Sequence, residues 1–569
     1  MNNVGLLTSL KILFSAIILT VPVSISFAAD FPDAGRLLKE STPPPSLIPQ
    51  QRPPDLPQRV KPPEQERDNT KIRVSSFTFT GNTIFSCGEL SEIMAGYRNK
   101  ELTLSELEIA AATVTNAYRK RGYFLASLFI PPQTVTPGGT LIIEVQEGVL
   151  EDIHVETTTA KTRTLKSVLE YYANQVPVNL PLEDGTLTAM VMRTNELPNI
   201  TSRIILEPGS RPGTTKATLQ VSEGKPCSFT LNIDNYGNQT TGENHLSGTV
   251  HLYSPLRIGD QLNLRMQSST TGNLQTVQSG YTMPLMSYGT SIGWNYSYIG
   301  YQMGGAFTSL QASGNAQNLS ISLSHSLVRR RDLILNATVA EEGSLLDDRI
   351  ASTGSRNQRL NTSFQAGING IHIDNGAGGG FTSFSLGLVA GRLSIRDAET
   401  LANDQSSEGL HTDGSYTKIN MALARSQPLY HGVSLYTGAY GQWSNNNLGS
   451  SEQLSLSGPG AVRAYQSSES SADRAIVSTV ELRYLFASTG ELPGKLELSA
   501  FIDHGYAALH TTPLPDAGMN LQSLAGAGLG IKWFDTNNYS LQSTVAWKID
   551  SEHTAADSPL VFAQLTKSF

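Results

Sequence analysis

The sequence of 569 residues contains little cysteine, little charge and, after its amino-terminal segment, no long apolar run. Its two cysteines, Cys87 and Cys227, are too few for a disulfide framework or a cysteine-ligated metal site, although a single bridge between them stays open. Charged residues make up 16% of the chain and the net charge is −8, which argues against a nucleic-acid partner because such a partner requires a basic face. The lack of a later apolar run excludes helices that span a membrane in the mature chain.

The motifs of nucleotide and metal chemistry are missing as well. No phosphate-binding loop of the form G-x-x-x-x-G-K-[ST] occurs, and the ten histidines show neither H-E-x-x-H nor paired metal-ligand spacing. His504 directly follows Asp503, and consecutive strand residues point to opposite faces, so these two residues do not form a catalytic dyad. We therefore expect no enzyme activity, no catalytic residue, no metal, no nucleotide and no other cofactor.

The amino terminus predicts export and then a spacer. Lys11 precedes an apolar run, residues 12–27, and small residues follow, which predicts a secretory signal peptide over residues 1–28. Residues 29–42 contain a short candidate helix, DAGRLLKE, and the sequence leaves open whether this helix plugs a pore. Residues 43–70 are rich in proline and polar side chains, which predicts an extended linker without a packed core.

Two small α+β modules follow, over residues 71–149 and 150–224. The strand LIIEVQEG of the first module recurs 76 positions later as ATLQVSEG in the second, and each copy ends in Val-x-Glu-Gly. In the first module, Thr103-x-x-Glu106 predicts a capping box, and apolar residues at helical spacing follow it. The second module shows two weaker helical patterns between its strands.

Residues 225–569 alternate between apolar and polar side chains in segment after segment. Phe229, Leu231 and Ile233, for example, alternate with polar residues, and the final strand closes on the aromatic residue Phe569. A soluble sandwich would also alternate, but export, the terminal phenylalanine and the number of strands favour a membrane β-barrel. At about 20 residues per strand and turn, this region predicts about 16 antiparallel strands.

Several motifs carry a resemblance that covers nearly the whole mature chain. GNTIF, YRKRGYFLA, PPQTV and VQEG in the first module are similar to a polypeptide-transport-associated (POTRA) domain. DNYGNQTTGE and SPLRIGDQL at the start of the alternating region are similar to the first barrel strands and turn of the same family. Together with the linker and tandem modules, they make the chain resemble the outer-membrane transporters of two-partner secretion, the TpsB family of filamentous-hemagglutinin and hemolysin exporters.

The resemblance implies a 16-stranded barrel, two POTRA domains and a long loop, around residues 450–470, that folds back into the lumen. The loop tip of the family, Val-Arg-Gly-Tyr, is matched by Val462, Arg463 and Tyr465, whereas Ala464 replaces the glycine. If that position needs a positive φ, alanine meets a steric cost there. The family pairs the arginine with the aspartate of a Phe-x-Asp-x-Gly motif, which is matched here by Phe501, Asp503 and Gly505.

The alternation of KLELSAFID supports the same pairing. Its apolar set, with Leu498 and Ile502, is expected to face lipid, so that Phe501 and Asp503 face the lumen. A lumenal carboxylate can hold the arginine of an inserted loop by a charge-assisted hydrogen bond. We therefore expect Arg463 to be a latch, and the alternative is an ordinary solvated loop arginine.

The predicted function is translocation of a large partner exoprotein across the bacterial outer membrane, with the POTRA domains in the periplasm recognising the client's amino-terminal secretion domain. The other expected partner is outer-membrane lipid, with neither nucleic acid nor nucleotide. An insertase of the BamA type or a passive porin is the alternative function. The identity of the client and the oligomeric state are not predicted from the sequence.

Overall fold

A computed structural model describes residues 33–41, 71–134, 138–158, 162–285, 289–374, 376–486, 494–513, 519–535, 538–549 and 559–569. The predicted signal peptide (1–28) and linker (43–70) lie outside these residues. Within the predicted amino-terminal helix region, helix α1 spans Ala34–Ser41. No helix in the described part of the chain is long and apolar enough to cross a membrane.

The first module is a four-stranded sheet covered by two helices, with the strand order β2-β1-β4-β3. Capping boxes begin both helices, one at Ser86 and the other at Thr103, and the second confirms the sequence prediction. The elements are β1 (Lys71–Thr80), α2 (Cys87–Ile93), β2 (Lys100–Thr103), α3 (Leu104–Lys120), β3 (Ser127–Phe129) and β4 (Gly139–Gln146).

The second module is a three-stranded sheet with the order β5-β7-β6, again with two helices on one face. Its core contains the fully buried side chains of Leu169, Leu187 and Leu219. The elements are β5 (Val149–Thr157), α4 (Lys166–Ala173), α5 (Asp184–Asn195), β6 (Ile200–Pro208) and β7 (Thr214–Glu223). The two weak helical patterns of the sequence therefore do form helices.

The glutamate of the repeated Val-x-Glu-Gly motif is buried in the first module. Glu147 is 5% exposed and accepts hydrogen bonds from the backbone nitrogens of Thr83 (2.7 Å) and Ile84 (2.9 Å) and from the hydroxyl of Tyr118 (2.8 Å). Burial, together with this bond to Glu147, raises the pKa of Tyr118 and keeps its hydroxyl a donor. The carboxylate thus fixes the turn after β1 to the end of β4.

The second module uses its motif in the same way. Glu223 is 8% exposed and accepts hydrogen bonds from the backbone nitrogens of Arg163 (2.6 Å) and Thr164 (3.2 Å). A buried carboxylate needs such donors to offset the loss of hydration. The glutamate of the motif therefore has the same structural role in both modules, which is to accept backbone hydrogen bonds in a buried position. This role explains why both copies contain an acidic residue before the glycine.

The modules contact each other and the barrel. Leu125 packs against the core of the second module from the loop after α3. Arg329, the last residue of a barrel strand, forms an ion pair with Glu196 just after α5, and Arg331 of the following turn pairs with Asp184 at 3.1 Å. The second module thus rests on the barrel turns at the end where the chain enters the barrel.

The alternating region forms a closed barrel of sixteen antiparallel strands, as predicted. Outward residues such as Ile502 (56% exposed) and Leu529 (58% exposed) are apolar. The strands are β8 (Cys227–Asp234), β9 (His245–Tyr253), β10 (Gln261–Ser269), β11 (Leu274–Pro284), β12 (Thr290–Gln302), β13 (Ala312–Arg329), β14 (Leu333–Ile350), β15 (Ser355–Asp374), β16 (Gly380–Ile395), β17 (Gly414–Tyr430), β18 (Val433–Ser444), β21 (Arg474–Leu485), β22 (Lys495–Ala508), β23 (Leu521–Phe534), β24 (Tyr539–Lys548) and β25 (Leu560–Ser568).

Two further short strands, β19 (Leu454–Ser455) and β20 (Ser471–Ala472), pair inside the loop between β18 and β21. A short helix, α6 (Ala398–Asp404), lies in the loop between β16 and β17.

The barrel closes where the last strand meets the first. The backbone nitrogen of Phe569 donates to the carbonyl of Phe229 at 2.9 Å, and the two rings stack at 5.7 Å. Phe562 points inward, is 4% exposed and contacts Tyr236 edge-on. The alternation that the sequence predicted for the last strand is therefore confirmed, with Phe562 on the inner face.

Candidate functional site

The loop between β18 and β21, residues 445–473, carries the predicted motif into the lumen. Gly458, which has a φ of +109°, begins the tight turn GPG that precedes the motif. The backbone nitrogen of Val462 donates to the carbonyl of Leu456 at 3.0 Å, and that of Tyr465 donates to Val462 at 3.2 Å. These short-range bonds make the loop tip a compact turn rather than an extended segment.

The loop tip packs into an apolar cluster on the inner wall of the barrel. Val462 is fully buried and Tyr465 is 1% exposed. They pack with Leu456 of the loop and with barrel residues that include Phe501 and Leu524. Burial of these side chains contributes stability through the hydrophobic effect, in addition to any charged contact at the tip.

Arg463 is bound to Asp503 by three hydrogen bonds. Its Nε and Nη2 donate to the two carboxylate oxygens at 2.8 Å each, and its backbone nitrogen donates to Oδ2 at 3.2 Å. Asp503 is fully buried, and Thr479 also donates to it at 2.9 Å. The guanidinium lies 3.3 Å from the ring centroid of Phe501, within the range of a cation–π contact.

A second carboxylate, Glu481, completes the arginine's environment. Nη1 of Arg463 donates to Glu481 Oε2 at 3.1 Å. The sequence analysis missed this residue, although the alternation of β21 places it on the inner face between the exposed residues Val480 and Leu482. The structure thus brings together Arg463, Phe501 and Asp503, and adds Glu481 to them.

Glycines beneath the loop tip make room for it. A Cβ on Gly505 would lie 3.2 Å from Cγ2 of Val462, and a Cβ on Gly526 would lie 2.6 Å from that of Ala464. Ala464 does not have a positive φ, so the steric cost considered for alanine at this position does not arise. The side chain of Ala464 is accommodated by the glycine opposite it on β23.

Helix α1 also lies inside the barrel. Leu37 and Leu38 are 2% and 7% exposed and pack against inward residues of several strands, among them Ile299 and Leu346. A Cβ on Gly35 would lie 2.4 Å from Oγ of Ser450, so the glycine lets the helix approach the loop closely. The helix and the loop therefore occupy the lumen together.

An arginine on the barrel holds the start of α1. Nη2 of Arg359 contacts Asp33 at 2.8 Å and Asp348 at 2.5 Å. Ser450 of the loop donates to Asp33 at 2.6 Å, and the nitrogen of Ala34 donates to Asp348 at 2.9 Å. This cluster joins the helix, the loop and two barrel strands. No sequence signal indicated it, because its members belong to segments with no shared motif.

The base of the loop has a separate ionic contact with the barrel. Lys418 of β17 pairs with Glu452 at 2.6 Å, and Asn361 of β15 donates to the same carboxylate at 2.7 Å. At the other side of the loop, Ser468 donates to Glu40 of α1. The loop is thus fixed at its base, at its tip and against the helix.

The remaining candidate groups do not gather into a site. Cys87 and Cys227 are both exposed and unbridged. The pattern G-x-S-x-G occurs at residues 289–293, but Ser291 lies within the strand β12 and not between a strand and a helix, as a nucleophile elbow requires. His504 is exposed on the outer face and Asp503 is buried on the inner face of β22.

The chain matches two protein-family models and several known proteins. The model described as haemolysin secretion/activation protein ShlB/FhaC/HecB matches residues 213–533, and the model described as POTRA domain, ShlB-type, matches residues 72–148. The heme/hemopexin transporter protein HuxB of Haemophilus influenzae (strain 86-028NP) is 27% identical over 487 residues, 84% of each chain. The hemolysin transporter protein ShlB of Serratia marcescens is 24% identical over 421 residues, 71% of this chain and 70% of that one.

Among solved structures, CdiB from Escherichia coli matches 94% of this chain and 95% of its own, with a TM-score of 0.71 and 23% sequence identity. At this identity the likeness shows a shared fold.

Proposed function

The chain belongs to the haemolysin secretion/activation family ShlB/FhaC/HecB, the outer-membrane transporters of two-partner secretion. We propose that its parts together export a large partner exoprotein. The observation that carries the proposal is the occupied lumen. Helix α1 and the loop tip each contact the inner wall through an arginine between two carboxylates. The contact of the helix leaves the pore able to open, because water replaces the partly exposed carboxylate of Asp33 at a small cost.

The periplasmic modules receive the client first. The POTRA domain, residues 71–149, and the second module, residues 150–224, which we assign as a second POTRA domain, recognise the amino-terminal secretion domain of the exoprotein. Sheet edges in such modules can bind an extended client by β-augmentation. The contact of Arg329 with Glu196 supports this order, because it keeps the second module at the mouth of the barrel.

The lumenal motif then controls passage. Arg463, within Val462–Tyr465, is the latch that positions the loop, and Asp503 of the Phe501–Gly505 motif is its partner on the wall. We infer that α1 leaves the lumen and the loop shifts when the client enters. Without nucleotide, folding of the client outside the cell supplies the driving force. Outward apolar residues such as Leu529 contact outer-membrane lipid.

The test is co-expression with the large exoprotein encoded beside this protein. Client in the medium is measured for the wild type, for a deletion of residues 73–223 and for Arg463→Ala. Arg330→Ala is the matched control, because this exposed arginine also pairs with an aspartate but lies on a barrel turn. We expect both test variants to lose secretion at unchanged barrel levels, and the control to secrete normally.

Normal secretion by both test variants would contradict the proposed mechanism. General defects in the assembly of other outer-membrane barrels, with no specific loss of the client, would instead favour an insertase of the BamA type. A porin would be indicated by free passage of small solutes without any effect on the client.

A further inference from the structure

The outer surface of the barrel carries a group of arginines at the ends of β14, β15 and β16 that lie away from the POTRA domains. The lipid-facing side of these strands is marked by Leu345 and Phe364, which are 45% and 55% exposed. Strand register places the arginines on the same side, since paired residues of neighbouring strands share a face. Four arginines form the group, which we call the arginine rim: Arg349, Arg356, Arg392 and Arg396.

Two members of the arginine rim are held side by side by one carboxylate. Arg349 and Arg356 are directly paired across β14 and β15. Both donate to Oδ2 of Asp347, at 2.8 Å and 2.7 Å, and their side chains remain 54% and 46% exposed. One aspartate between two guanidinium groups leaves a net positive charge, and it pre-organises both groups with donors still directed to solvent.

The other two members have no acidic partner among the residues that the structure describes. Arg392 is paired with Thr362 on the outward face of β16, and Arg396 follows the end of that strand with its backbone nitrogen bonded to Gln358 at 2.8 Å. Within the described part of the chain, neither arginine has an ion pair within 4.0 Å. The neighbouring carboxylates are those of Asp347, of Asp397, which caps helix α6, and of Glu399 in the first turn of that helix. Four arginines beside these three carboxylates leave a small excess of positive charge along the rim.

The position of the rim points to its ligand. It continues the lipid-facing surface upward from the apolar side chains on the same strands, at the extracellular end of an outer-membrane barrel. The outer leaflet of that membrane consists of phosphorylated glycolipid. Guanidinium groups bind phosphate through paired, charge-assisted hydrogen bonds, and clusters of basic residues beside an apolar surface recognise anionic lipid head groups.

We propose that the arginine rim binds the phosphate groups of an outer-leaflet glycolipid and so orients the barrel in the membrane. The apolar residues below the rim, Leu345 and Phe364 among them, contact the acyl chains of the same lipid. The site lies on the outside of the barrel, so its occupancy does not depend on the client or on the latch.

The test measures glycolipid retained by the purified full-length protein in native mass spectrometry. Bis-phosphorylated lipid A, the same lipid after removal of its phosphates, and phosphatidylglycerol are supplied in separate detergent exchanges, with and without inorganic phosphate. Because the charge of each arginine attracts an anionic lipid surface, we expect at least a tenfold loss of bound lipid A for R349Q/R356Q/R392Q/R396Q. High salt should weaken binding by the wild type.

Matched controls separate this site from general charge. The double variant R349Q/R356Q is compared with R330Q/R425Q, since Arg330 and Arg425 also pair with aspartates but lie at the periplasmic ends of the strands. Heat-modifiable mobility on gels checks that each barrel is folded, and the double variants decide the result if the quadruple variant does not fold. We expect the rim pair alone to lose lipid A.

The proposal would be overturned by equal retention of lipid A in the wild type and the rim variants. Equal retention of lipid A with and without its phosphates, or an equal loss for R330Q/R425Q, would overturn it as well. Full displacement by millimolar inorganic phosphate would also do so, because it would indicate a simple anion site instead of a lipid site. Secretion assays are not used here, so the result is independent of the proposed transport function.

Discussion

The loop tip and helix α1 are two occupants of one lumen, and each is held by an arginine that lies between two carboxylates. In the first case Arg463 belongs to the loop, and both Asp503 and Glu481 belong to the wall. In the second case Arg359 belongs to the wall and only one of its two carboxylates, Asp33, comes from the region of the helix. Removal of the loop tip would therefore leave Asp503 and Glu481 on the wall without Arg463. Removal of the helix, in contrast, leaves Arg359 paired with Asp348 on the barrel.

The two contacts differ in the burial of the carboxylate, although both arginines are largely buried. Asp503 is fully buried beneath the apolar cluster of the loop tip, while the side chain of Asp33 is 25% exposed. Loss of one partner of a fully buried ion pair leaves the other charge buried and unpaired, which is costly. In a partly exposed pair, water can replace the lost partner at a smaller cost. The loop tip is therefore held to the wall more firmly than the helix, and the helix detaches more easily than the loop shifts.

The largest predicted effect concerns the buried ion pair of Arg463 and Asp503. Asp503→Ala leaves Arg463 with Glu481 alone, and we expect the barrel to lose about 3 kcal/mol of unfolding free energy. Asp374→Ala is the control, because Asp374 pairs with Arg425 at a partly exposed position and its loss should cost much less stability. Denaturant unfolding in detergent measures the loss for both variants. Equal losses would contradict the claim that burial makes the Arg463–Asp503 pair the stronger contact.

A smaller effect is expected from the helix contact, with a different readout. Asp33→Ala should destabilise the plugged state by about 1.4 kcal/mol, so that the open fraction of the pore rises about tenfold. Ion conductance in planar bilayers measures the open fraction, and the exposed Asp332→Ala is the control. Unfolding free energy should hardly change for Asp33→Ala. A large loss of barrel stability without any rise in conductance would contradict the detachable helix.

The fit of the loop tip against β22 can be tested without changing charge. Gly505→Ala places a methyl group 3.2 Å from Val462, and we expect a loss of about 1 kcal/mol from overpacking. Gly343→Ala provides the control, since a Cβ there has no neighbour within 4 Å in the described structure. Thermal unfolding of the two variants should differ by a few degrees. Equal melting temperatures would show that the loop tip is not packed tightly on the wall.

The smallest effect should come from the hydrogen bond that joins the loop to the helix. Ser450→Ala removes a donor to Asp33, which is a loss of about 0.5 kcal/mol and a roughly twofold rise in open fraction. Ser352→Ala, on an exposed turn, should leave conductance unchanged. A tenfold rise for Ser450→Ala would mean that the loop, and not Arg359, provides most of the hold on the helix.

Much of the wall could be predicted from the sequence because a strand alternates its side chains with a fixed period of two. The period placed Asp503 in the lumen and Ile502 on the lipid side, and the structure confirms both. The same period of two also places Glu481 on the inner face of β21. The capping box at Thr103 was equally readable, because a cap depends on residues only three positions apart.

The hold on α1 could not be predicted in this way. Asp33 and Arg359 are 326 positions apart, and neither belongs to a motif. The ion pair between Lys418 of the wall and Glu452 of the loop could not be predicted either. A single charged residue that faces inward has many possible partners across a wide lumen. Sequence periodicity gives the face of a residue but not the neighbour it meets.

An exported barrel with tandem α+β modules could be predicted from the sequence alone, because local alternation, capping and composition depend on near neighbours. The arginine motif and its long loop were implied by the family resemblance. Three features required the folded structure, namely that Ala464 rests on Gly526, that Glu481 shares Arg463 with Asp503, and that α1 lies in the lumen. Those contacts join distant segments, and closure of the barrel is what brings the segments together.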